Sequence, residues 1–134
     1  MQKGGRDRKM TAKKKINSMA REIEALLAYE KLSMMKRKAW GKLNFLAAKE
    51  DIHQILDIID ALRDMRLEAL YDKDFKELDL QLQTIRKLFD RINKFDAKAA
   101  GAAKKRETLL KEIKDTSGRF HVTTLPWVKS TLFF

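Results

Sequence analysis

Asp57, Asp60 and Asp64 stand at i, i+3 and i+7, a spacing that puts three carboxylates on one face of a helix. Carboxylates grouped in this way can hold a divalent cation or move protons. A metal site also needs ligands from a second element, and nothing in the sequence marks them, so the expected role is a charged face that meets the lysines of the first helix. His53 and His121 lie 68 positions apart without ligand-spaced companions. The chain has no cysteine, which excludes disulfides, thiolate zinc sites, thiol redox chemistry and cysteine nucleophiles together. These residues predict a protein that is not an enzyme and that carries no metal, no cofactor and no small-molecule substrate.

The remaining chemistry is cationic. Lys36, Arg37, Lys38 and Lys42 surround Trp40 within about two helical turns, an arrangement in which cations neutralise phosphates while an indole stacks on a base. The plainer alternative makes Trp40 a core anchor with a solvated cationic rim. Lys13, Lys14 and Lys15, preceded by Arg6, Arg8 and Lys9, form a second cluster, and Lys104, Lys105 and Arg106 a third. Such runs bind phosphate backbones without reading sequence, and they also serve simply to solubilise.

The distribution of charge sharpens this reading. The 134 residues hold 30 Lys and Arg against 19 Asp and Glu, a net charge of +11. Residues 1–49 carry 14 basic and 4 acidic side chains, residues 50–97 carry 8 and 12, and residues 98–134 carry 8 and 3. Two basic ends around an acidic middle fit an antiparallel bundle whose central helices face basic neighbours, leaving an excess of positive charge on one side.

Hydrophobic spacing supplies the elements that would position these groups. Met1–Met10, with Gly4, Gly5 and five charges, is expected to be a flexible basic arm. From Thr11, Ile16, Met19, Ile23 and Leu26 recur at three and four, predicting a helix that runs to Gly41. Its first turn would then hold Lys13, Lys14 and Lys15 against the helix dipole, a mismatch that a bound anion would relieve. Phe45, Ala48, Ile52, Ile55, Ile59 and Leu62 predict a second helix after Asn44, its seam weakening at Arg66 and Ala69. Phe75, Leu78, Leu82, Ile85, Phe89 and Ile92 predict a third, opened by the Asp74 and Glu77 capping pattern. After an alanine-rich junction at Ala97–Ala103, Leu109, Leu110 and Ile113 predict a short fourth helix stopped by Gly118.

Residues 119–134 contain four of the eleven aromatic residues and the only proline. Alternation on either side of Pro126 predicts an extended, strand-like tail whose Trp127, Leu132, Phe133 and Phe134 would dock on a partner protein or a second copy. The expectation is thus an all-α fold, a bundle of three long helices and a shorter fourth over residues 11–118, with a basic arm and an aromatic tail. No apolar run approaches the roughly 20 residues that a membrane span requires, so a cytoplasmic protein without membrane contact is expected. The function that fits is a non-catalytic subunit contacting DNA or RNA backbone inside a larger assembly. The rival is a protein adaptor, assembly subunit or inhibitor that works through its helical faces and tail.

Overall fold

The computed structural model describes residues 3–35, 48–96 and 98–132. All regular structure among them is helical: α1 spans Lys3–Met35, α2 Lys49–Asp64, α3 Asp72–Lys94 and α4 Ala102–Leu132, with a 3-10 turn at Leu67–Ala69 between α2 and α3. The all-α expectation holds, but the lengths are redistributed. The fourth helix, expected to be the short one, has 31 residues, and α2 has 16.

α3 follows its sequence pattern, burying Phe75, Leu78, Leu82, Ile85, Phe89 and Ile92 along one stripe. Asp72 and Asp74 in its first turn and Arg91 and Lys94 in its last match the helix dipole. Its start lies two residues before the expected cap, and Tyr71 at the N-cap makes no side-chain hydrogen bond. α2 buries Leu56, Ile58 and Ala61 as well as Ile52, Ile55, Ile59 and Leu62, a wider apolar arc than one seam. That width follows from its neighbours, since α2 packs against both α1 and α4. α2 ends where its heptads fail, at Asp64, and the 3-10 turn then buries Leu67.

α1 begins at Lys3, so the expected flexible arm is helical from that residue. Lys9 explains why. Its ammonium donates to the Leu70 carbonyl at 3.1 Å and lies 5.7 Å from the centre of the Phe75 ring, tying this end of α1 to the start of α3. No proline interrupts the chain between Lys3 and Met35.

The extended tail is the larger correction. Residues through Leu132 continue α4, and Leu109, Ile113, Ser117, Phe120, Thr124 and Val128 form one buried stripe at spacings of three and four. The apparent alternation of Phe120, Val122 and Thr124 is therefore helical, with Phe120 and Thr124 buried and Val122 facing solvent at 71% exposure. The polar members of the stripe are satisfied: Ser117 Oγ donates to Gln54 Oε1 at 2.6 Å, and Thr124 Oγ1 donates to the Phe120 carbonyl at 2.7 Å. Gly118 lies inside the helix, on its exposed face. Pro126 is also exposed and interior, beside the exposed Val122 whose carbonyl loses its usual N–H partner and can turn to water.

The helices close around one core. α2 packs most extensively on α4, α1 packs on α2 and α3, and α3 packs on α4, whereas the consecutive pair α2 and α3 share little contact. Lys15 pairs with Asp79 at 3.8 Å, and farther along both helices Glu22 pairs with Arg86, so α1 and α3 run in the same sense. Phe95 meets Arg106 and Arg91 meets Glu112, so α3 and α4 run in opposite senses.

Candidate nucleic-acid interface

The three cationic clusters meet different fates. Successive helix residues point about 100° apart, and this disperses Lys13, Lys14 and Lys15. Lys13 turns inward, donating from Nζ to the carbonyls of Leu62 and Met65, both at 2.8 Å. Both carbonyls lie at the C-terminal end of α2, where a cation also matches the dipole. Burial lowers the Lys13 pKa below the usual lysine range, Asp64 and Glu68 draw it back up, and Arg63 adds to the lowering. Lys15 faces Asp79, and Lys14 is exposed. Because α1 starts at Lys3, these lysines sit about three turns inside it, and the expected dipole mismatch is absent. The cluster around Trp40, with Lys36, Arg37, Lys38 and Lys42, lies outside the described residues.

Lys104, Lys105 and Arg106 do fall in the opening turns of α4, a helix with no acidic residue in its first turn. Lys104 and Lys105 are exposed, and Arg106 places its guanidinium 5.7 Å from the centre of the Phe95 ring. Lys104 and Lys105 border a cleft of about 700 Å³ at the turn between α3 and α4, facing Lys94 and Arg91 across it, with Phe95, Ala99 and Leu109 as its apolar walls. A second cleft of about 390 Å³ continues along the same seam, bordered by Lys87, Arg119 and Glu112. Arg91 lines both. Together the two hold six cations, Lys87, Arg91, Lys94, Lys104, Lys105 and Arg119, against the carboxylates of Asp96, Glu112 and Asp115. Two of those carboxylates are engaged: Glu112 by Arg91, and Asp96 by the Lys98 N–H at 2.9 Å.

Of the expected site, the structure thus brings Lys104 and Lys105 together with four cations that sequence reasoning did not single out. Lys87, Arg91 and Lys94 carried a signal, spacings of four and three on one helix face. They went unread because their segment is acidic overall. The trio Asp57, Asp60 and Asp64 does not assemble a pocket: Asp57 and Asp64 are exposed, and Asp60 accepts from Arg63 at 3.2 Å. Among the described residues no group of acids and histidines could hold a metal ion, and no helix is long and apolar enough to cross a membrane. Trp127, expected to anchor a partner, packs against the chain's own core. The Leu132 side chain, Phe133 and Phe134 lie outside the described residues. No protein family, curated protein or solved structure matches the chain.

Proposed function

We propose that this chain is a non-catalytic helical subunit that contacts nucleic-acid backbone, without reading sequence, through the seam between α3 and α4. The observation that carries the reading is the run of six cations along two joined clefts, an excess of three positive charges over the carboxylates there. A groove with a net excess of positive charge concentrates a polyanion and steers its approach. Lys104 and Lys105 add to this, because cations at a helix N-terminus oppose its dipole until an anion arrives. A role inside a larger nucleoprotein assembly fits a surface of this modest size.

Salt dependence tests the reading. Binding to a short duplex should weaken linearly in log salt, with a slope of about −0.9 per phosphate contact. The triple variant Lys94→Gln, Lys104→Gln, Lys105→Gln should flatten that slope by two to three contacts, about 2 to 3 units in all. Lys13→Gln should leave it unchanged, since Lys13 is spent on α2. Absence of binding at about 50 mM salt to duplex DNA, single-stranded DNA and RNA alike would refute it.

The adaptor reading draws on a different surface. Tyr29 and Leu32 on the C-terminal half of α1 are 54% and 49% exposed, and Tyr29 borders a cleft with Ala25 and Leu26. Exposed apolar side chains next to a recess suit a protein partner. Tyr29→Ser with Leu32→Ser should abolish such a contact while leaving polyanion binding intact.

A further inference from the structure

We infer that the cleft at the turn between α3 and α4 receives one unstacked base of a single-stranded nucleic acid, with Phe95 as its aromatic wall and Lys94, Lys104 and Lys105 on the flanking phosphates. This rests on the backbone-binding reading above and narrows it to single strands.

A groove that only neutralises phosphates needs no recess. This one has a recess of about 700 Å³, within the range of small-ligand pockets, and its lining includes the apolar Phe95, Ala99 and Leu109. Its cations lie on the last turn of α3 and the first turns of α4. Apolar lining bordered by cations is complementary to a nucleotide, whose base is flat and weakly hydrated and whose phosphates are charged. A paired base inside a duplex cannot enter, because its faces are covered by stacking neighbours. A single-stranded base can be splayed out and stacked on an aromatic ring.

The local construction holds such a site ready. Arg106 lies over one face of Phe95, and its Nε is buried without a hydrogen-bond partner among the described residues. The guanidinium on the ring and the core against which Phe95 packs hold the ring's orientation. Gly101, at φ +73°, turns the chain sharply enough for α4 to begin beside the end of α3, and it lines the cleft itself. Lys98 N–H bonds to Asp96, which turns that carboxylate toward its own loop.

The test compares a 20-nucleotide oligothymidylate with an abasic 20-mer of the same backbone, a 20-base-pair duplex and heparin, by fluorescence anisotropy on the full chain. Oligothymidylate should bind about tenfold more tightly than the abasic strand, the contribution of roughly one stacked base. Ala99→Phe fills the cleft from an exposed turn position without altering charge. It should erase the tenfold difference while leaving abasic, duplex and heparin binding within about twofold, at an unchanged melting temperature. Phe95→Leu, which keeps apolar volume and removes the ring, should also reduce the difference. Equal binding of oligothymidylate and abasic strand would overturn this inference and leave the backbone reading standing. A difference that survives Ala99→Phe would place the base elsewhere and overturn it as well. No binding to any of the four probes would overturn both.

Discussion

Replacing Lys13 with Met keeps an unbranched apolar stem and removes the terminal ammonium with its three donors, which isolates the contact between α1 and the end of α2. Lys13 donates to two carbonyls at 2.8 Å. The Leu62 carbonyl also accepts the Met65 N–H at 3.2 Å and so keeps one partner in the variant, while the Met65 carbonyl depends on Lys13 or water. Hydrogen bonds from a charged donor contribute about 1.5 to 3 kcal/mol each when well shielded. Here the ammonium is only half-buried and its desolvation offsets part of the gain, so the expected loss for Lys13→Met is about 1 to 2 kcal/mol. For a chain of this length that is a fall of roughly 3 to 8 °C in melting temperature. Lys14→Met makes the same change of charge one residue away on an exposed position and should stay within about 0.5 kcal/mol. Urea unfolding of both variants, followed by circular dichroism, measures the difference directly. If the two variants lose the same stability, the Lys13 contact is not a cap and the reasoning fails.

Glycine supplies a contrasting pair: Gly118→Ala should stabilise by about 0.5 to 1 kcal/mol, because its position is helical and a methyl group meets nothing within 4 Å, whereas Gly101→Ala should destabilise by about 1 kcal/mol because φ is +73°. Chemical denaturation of each variant decides the signs. Phe120→Ala should cost about 3 to 5 kcal/mol, as expected of a ring 0% exposed in the core, and a loss below 1 kcal/mol would return residues 119–132 to the status of a tail. Titration of the lysine side chains by NMR should give Lys13 a midpoint below the ordinary lysine value of 10.5, because burial penalises its charged form. The unfolded chain then binds more protons than the folded one in the window between the lowered midpoint and 10.5, so this residue's contribution to stability rises with pH through that window, and Lys13→Met removes the rise.

Particular elements show what the sequence could and could not reveal. α3 was legible because Phe75 to Ile92 present a continuous apolar stripe with nothing polar inside it. α2 was legible as far as Leu62 but its end at Asp64 was not, since Leu67 and Leu70 keep a face apolar beyond it. The second half of α4 was not, because two of its buried positions are Ser117 and Thr124, whose partners are Gln54, 63 residues away, and a carbonyl of α4 itself. Gly118 and Pro126 then read as punctuation, although packing against α2 and α3 outweighs their intrinsic penalties of about 1 and 3 kcal/mol. The cationic clusters misled for a geometric reason. Neighbours in sequence, such as Lys13, Lys14 and Lys15, diverge around a helix, while Lys87, Arg91 and Lys94 meet Lys104 and Lys105 only through the turn at Gly101.

The placement of α4 in the chain governs how the protein is made. α2 and α3 each rest on α4 far more than on one another, so their shared partner is made after both of them. At about 5 to 20 residues per second, the interval between the end of α3 and Val128 is roughly 2 to 7 s, whereas helices form within microseconds. During those seconds the nascent chain carries α1, α2 and α3 without the helix on which α2 and α3 both rest, so α1 alone covers stripes that include Ile55 and Ile59 on α2 and Leu82 and Ile85 on α3. Synthesis therefore passes through an adhesive stage that ends only when Phe120, Thr124 and Val128 arrive. A ribosome stalled within α4 would present a product prone to capture by chaperones or to aggregation, and the native core would be completed in one step once α4 is translated.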